Sequence, residues 1–91
     1  MIDNQTILFK FIQINNKVVN WVDVSYNYKL SENFIIEFQD KVNWHHISEY
    51  QTLSENIIRE FQDKVYWWCI LNYQTLSIDF KNEFKHRLNG G

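Results

Sequence analysis

Leu30 to Thr52 reads LSENFIIEFQDKVNWHHISEYQT, and Leu53 to Thr75 reads LSENIIREFQDKVYWWCILNYQT. Sixteen of the 23 aligned positions are identical and seven differ, so this stretch is a tandem duplication. Self-similarity at a fixed period of this length marks a repeat architecture and outranks any local reading of secondary structure. A truncated copy follows from Leu76, with Ser77, Phe80, Glu83, Phe84 and Leu88 in the columns of Ser54, Ile57, Glu60, Phe61 and Val65. Upstream, Val19-Asn20-Trp21 lies 23 residues before Val42-Asn43-Trp44, which makes 7–29 a diverged first copy. The expected organisation is one domain over 1–91, with units 7–29, 30–52, 53–75 and a capping 76–91.

Within a unit the pattern is helical. Leu30, Phe34, Phe38 and Val42 recur every four residues and form one apolar stripe. Ser31 has the side chain of an N-cap, and Glu32 behind it suits the positive end of a helix dipole. Leu30 and Ile35 are spaced as a hydrophobic staple, repeated by Leu53 and Ile58. Glu37 with Lys41, and Glu60 with Lys64, are spaced as i,i+4 ion pairs. A second helix is expected from about Trp44 to Gln51. Helices this short are marginal alone and gain stability by stacking on the next copy. The expected fold is therefore all-α, an array of short helix pairs. Proline is absent and glycine occurs only at Gly90 and Gly91, so the turns are expected to rest on Ser, Asn, Asp and Thr.

The first unit admits a second reading. Ile7 to Ile14 and Lys17 to Val24 are rich in β-branched and aromatic residues and flank Asn15-Asn16, the local pattern of a β-hairpin. Against it, Ile7, Phe11, Ile14 and Val18 also fit a helix, and Trp21 keeps the register of the later copies.

The composition is that of a packed protein, 45% hydrophobic and 18% aromatic, with a net charge of −2. No global basic field recruits nucleic acid or anionic lipid. The single Cys69 excludes an internal disulfide and a Cys-based zinc site, and suits a reducing compartment. The start has no basic segment before an apolar run, and Lys10 and Gln13 interrupt Ile7 to Ile14. Neither a signal peptide nor a membrane span is expected, and the location expected is cytoplasmic.

The motif LSENFIIEFQDKVNWHHIS, continued as YQTLSENIIREFQDKVYW, resembles a short tandem repeat of uncharacterised proteins from large DNA viruses, bacteriophages and some bacteria. Leu71, where that pattern has Ser, and Tyr66, where it has Asn or Asp, depart from it. The resemblance supplies no catalytic residues and implies a protein of viral or mobile-element type.

No constellation reads as catalytic, and no cofactor is expected. His45 and His46 are consecutive, so on a helix their side chains point about 100° apart and do not share an ion, with or without Glu49. No metal site is expected. Cys69 has no partner base in its own stretch. The carboxylate pairs Glu37/Asp40 and Glu60/Asp63 sit beside lysines, as on a solvated helix face. The columns that differ between copies carry more information: Phe34/Ile57, Ile36/Arg59, Asn43/Tyr66, His45/Trp68, His46/Cys69, Ser48/Leu71 and Glu49/Asn72. Five of the seven cluster from the end of the first helix into the second, which places Asn43, His45, His46, Glu49, Tyr66, Trp68, Cys69 and Asn72 on one ridge. Exposed Trp and Tyr are typical anchors of binding hot spots.

The function expected is that of a non-enzymatic module, monomeric or a small homo-oligomer, docking on a host protein or ribonucleoprotein through this ridge. With the viral resemblance, its sharpest form is an inhibitor of a host defence nuclease of the anti-CRISPR kind. In that form Glu32, Glu37, Asp40, Glu55, Glu60 and Asp63 would mimic nucleic-acid charge. The rivals are an RNA-binding module using Lys81, Lys85 and Arg87 on phosphates, and a self-associating structural repeat.

Overall fold

The computed structural model describes residues 5–7, 10 and 19–89, and among them it contains helices and no strand. From Trp21 onward the helices are α1 (Trp21–Asn27), α2 (Glu32–Glu37), α3 (Trp44–Tyr50), α4 (Glu55–Glu60), α5 (Trp67–Tyr73), α6 (Ile78–Glu83) and α7 (Lys85–Asn89). Residues 5–7 and 10 are also helical. The fold is all-α, as the 23-residue period predicts, with α1, α3 and α5 starting at Trp21, Trp44 and Trp67. The hairpin alternative fails where it can be judged: of the second hairpin stretch, Trp21 to Val24 lie in α1, whose Asn20 cap accepts from the Asp23 amide at 3.0 Å. The packing of Trp21 against Phe34 and Phe38 then fixes that helix to the next unit. The remainder of the hairpin stretch, residues 8, 9 and 11–18, lies outside the described residues.

The first-row helices α2, α4 and α6 are six residues each, and Ser31, Ser54 and Ser77 cap them by accepting from Phe34, Ile57 and Phe80 amides. Each ends at a phenylalanine with φ near −110°. Phe38 carbonyl then accepts from both Lys41 and Val42, and Phe61 carbonyl from Lys64 and Val65. Ser and Asn side chains close the helix starts as expected, and glutamine adds to them where the first-row helices end. Gln39 donates to Ile36 carbonyl, its own carbonyl accepts from the Trp44 indole N–H at 2.9 Å, and Gln62 with Trp67 repeats the arrangement.

Because α2 and α4 stop at Glu37 and Glu60, Lys41 and Lys64 lie beyond the helix and the expected i,i+4 pairs do not form. The ion pairs run between units instead: Lys10–Glu37 at 2.7 Å, Arg59–Glu83 at 3.0 Å, Lys64–Asp40 at 3.4 Å and Arg87–Asp63 at 3.1 Å. All are solvent-exposed, so each contributes roughly 0–1 kcal/mol.

The core is one column of side chains running along the array, with Phe34, Ile35, Ile47, Ile58, Ile70 and Phe80 fully buried. The tryptophan that opens each second-row helix bridges two units. The Trp44 ring packs on Phe61 at 5.0 Å and that of Trp67 on Phe84 at 5.0 Å, while both indole N–H groups stay bonded within their own unit.

Polar side chains join the units with equal regularity. Buried Gln51 donates to Ser25 carbonyl at 2.9 Å and Tyr28 carbonyl at 2.7 Å, and accepts from Leu30 amide at 2.8 Å. Gln74 repeats this on Ser48 carbonyl, Gln51 carbonyl and Leu53 amide. Ser25 and Ser48 hydroxyls accept from the Asn43 and Tyr66 amides of the following unit. Glu32 holds both the amide and hydroxyl of Ser54, and Glu55 those of Ser77. The second-row helices α1, α3 and α5 thereby lie side by side, and α7 closes the end against α5 and α6.

Gln51→Leu keeps the volume near constant but strands two carbonyls and one amide. At about 1–3 kcal/mol per buried unsatisfied group, it is expected to cost about 3 kcal/mol or more in urea unfolding. A change below about 1 kcal/mol would show that solvent replaces the clamp.

Candidate functional site

The outer face of the second row is where the variable columns meet. Val22, His45 and Trp68 share one column, Asp23, His46 and Cys69 the next, and Tyr26, Glu49 and Asn72 a third. Since α3 packs between α1 and α5, these columns become rows crossing three adjacent helices. Aromatic rings touch along that face. Tyr26 meets Tyr50 at 4.6 Å and His46 at 5.6 Å, His46 meets His45 at 5.6 Å, and His45 meets Tyr66 edge-on at 5.1 Å. Trp68 and Tyr73 pair at 6.0 Å.

The eight residues predicted for the ridge divide into three groups. Tyr66 and Trp68 are exposed, Trp68 by 64%, and His45 stands exposed beside Tyr66. Asn43 and Asn72 serve their own helices. The Asn43 side chain caps α3 by accepting from the His46 amide at 3.0 Å, and Asn72 donates to Trp68 carbonyl at 2.7 Å. His46 is half-buried, with Nδ1 enclosed and unpartnered, and Glu49 is half-buried. Cys69 is not a surface residue: it is 3% exposed, and burial, with the neighbouring Glu49 charge, pushes its thiol above the usual range.

The neighbouring histidines do not converge, in keeping with their spacing. A different set does. His45 and Glu49, one helical turn apart on α3, bring their ligand atoms and the Cys69 sulfur of α5 within 4.8 Å of one another. A single cysteine and two adjacent histidines point to no ligand set, but one cysteine joins a histidine and a carboxylate here because the set spans two units. The signal lay in the i,i+4 spacing of His45 and Glu49 and in Cys69 occupying the His46 column of the next helix.

Several exposed apolar residues were also missed. Tyr50 and Tyr73 are identical between copies and so read as scaffold, yet they are about half exposed on this face, as is Tyr26. Leu71 and Ile78 are 41% and 78% exposed. They occupy the columns of Ser48 and Glu55, the residues that bond the following unit in earlier copies.

The acidic and basic candidates fare differently from expectation. Glu32 and Glu55 bond serine caps, and Glu37, Asp40 and Asp63 each pair with a cation of another unit, so five of the six carboxylates are engaged within the array. Arg87 donates to Gln62 carbonyl and Asp63, and its guanidinium lies over the Trp67 ring at 5.6 Å. It works as a staple rather than a phosphate contact, leaving Lys81 and Lys85 as the exposed cations of α6 and α7.

The chain matches no protein-family model, no curated protein and no solved structure. No described helix is long and apolar enough to cross a membrane.

Tyr66 occupies an N-cap position with φ −95° and ψ 104°, close to the −87° and 106° of Asn43, but makes no side-chain cap bond. Tyr66→Asn regains a cap of about 1 kcal/mol and loses an exposed ring contact worth about half that. The expected outcome is a melting temperature about 2–4 °C higher. A fall would instead make Tyr66 part of the scaffold.

Proposed function

We propose that the chain is a non-enzymatic binding module that docks a protein partner through the outer face of α5 and the adjoining α3. The observation that carries this reading is the exposure of Trp68, Leu71 and Tyr73 on one seven-residue helix, with exposed Tyr66 at its N-cap. Contiguous large apolar and aromatic side chains on a small surface are a feature of interaction sites, and Trp and Tyr dominate their energetics.

Charge favours protein over nucleic acid. The helices α1, α3 and α5 contain no lysine or arginine, while Asp23 and Glu49 lie on the same face. Phosphate contacts would have no cation to meet there. A partner presenting arginine or lysine amid apolar side chains would find carboxylates and the faces of Trp68 and Tyr66. The likeness of Leu30–Thr75 to repeats of viruses and phages directs the search to host proteins, with defence nucleases first.

The test is capture by tagged wild-type chain, Trp68→Ala, and the double variant Lys81→Ala/Lys85→Ala, with and without RNase, followed by affinity measurement on the recovered protein. Trp68→Ala is expected to weaken that affinity about 30-fold, the scale of a 2 kcal/mol hot spot, while the lysine variant changes it little. RNase-sensitive capture that depends on Lys81 and Lys85 would overturn the reading in favour of RNA.

A further inference from the structure

We propose that His45, Glu49 and Cys69 form a binding site for a zinc-like divalent transition ion, with a fourth position left to water or to an incoming side chain. The proposal does not rest on the docking reading. Its first support is geometry. His45 and Glu49 are one turn apart on α3, and Cys69 comes from the helix packed alongside, so two rigid elements supply the ligands. Their ligand atoms lie within 4.8 Å of one another. Bonds of about 2.0–2.3 Å in a tetrahedral site place ligand atoms about 3.5 Å apart. Closing that difference takes side-chain rotation of about 1 Å, without moving the backbone.

The second support is chemical. A thiol, an imidazole and a carboxylate are the three side chains zinc uses, and sulfur with nitrogen selects it over calcium or magnesium. Neither Glu49 nor Cys69 has a side-chain hydrogen bond or ion pair with any described residue, so no structural contact accounts for a half-buried carboxylate beside a buried thiol. The Tyr66 ring packs edge-on against His45 at an interplanar angle of 87°, restricting the imidazole on its exposed side. Burial decreases from Cys69 through Glu49 to His45, so the ion would sit at the surface with its sulfur ligand innermost.

The third support is the repeat itself. All three residues come from columns that differ between copies. At the α1–α3 junction the same columns hold Val22, Tyr26 and His46, which cannot chelate together. The ligand set thus exists at one junction only, whereas residues kept for stacking recur at both.

The experiment uses the full chain, stripped with chelator and titrated with Co²⁺ alone and then Zn²⁺ alone, followed by optical spectroscopy, calorimetry and thermal melting. One ion per chain is expected, with a thiolate-to-cobalt charge-transfer band and a higher melting temperature on adding Zn²⁺. Cys69→Ser should abolish the charge-transfer band, and it and Glu49→Gln should each weaken binding by more than about tenfold. His86→Asn, on exposed α7, should bind as wild type. Far-ultraviolet circular dichroism of each variant separates lost ligation from lost folding, since the Cys69→Ser change is nearly isosteric. Absence of saturable binding, a cobalt spectrum without a sulfur band, or equal binding by folded Cys69→Ser would each overturn the site.

Discussion

A helix of six or seven residues leaves four amides and four carbonyls without partners inside itself, more than it pairs. A chain built wholly from such helices must satisfy those groups elsewhere or bury them at a cost of about 1–3 kcal/mol each. Here the partners come from the neighbouring unit. The Gln51 amide enters the gap between the end of α1 and the start of α2, and serves two carbonyls and one amide at once. Gln74 does the same between α3 and α4. Around each glutamine stand a serine hydroxyl holding the next second-row helix and a glutamate holding the next serine cap. These bonds point along the array, so no unit is complete without its successor, and stability is shared between neighbours in the manner of a one-dimensional stack.

That directionality makes two columns informative. Ser48 and Glu55 bond the following unit, and one period later their columns hold Leu71 and Ile78. Both replacements are apolar and exposed, so neither can make the coupling bond. Leu71 shares α5 with Trp68 and Tyr73, and Ile78 opens α6.

Much of this was legible in the sequence because the repeat acts as its own control. Ser31, Ser54 and Ser77 as caps, Trp21, Trp44 and Trp67 as packing between units, and the alternation of helices all follow from period and residue type. What the sequence hid were contacts between units. Glu37–Lys41 looks like an intrahelical pair until the helix is seen to stop at Glu37, and the partner of Glu37 is Lys10. Gln51 reads as the last residue of the second helix, although its work is done in a neighbouring turn. Identity between copies also misleads in one direction: Tyr50 and Tyr73 are the same residue because each faces solvent on an equivalent surface, not because each is buried.

Tyr66 separates the two demands placed on these helices. Its column is an N-cap, where Asn20 and Asn43 each close a backbone amide, and the backbone at Tyr66 keeps the conformation that an asparagine would use. Tyrosine gives up that bond, and in return its ring borders His45 and extends the aromatic face. Stability alone favours asparagine at this position, by the usual ranking of capping residues. A residue that is poorer for the helix and better for a surface is the pattern of a site kept for function at some cost to stability. Trp68, Leu71 and Cys69 differ from the preceding copy on the same helix, so the divergence concentrates on α5 while the clamping glutamines stay fixed. The scaffold and the proposed binding face are therefore separable, and the boundary between them runs through single helices rather than between them.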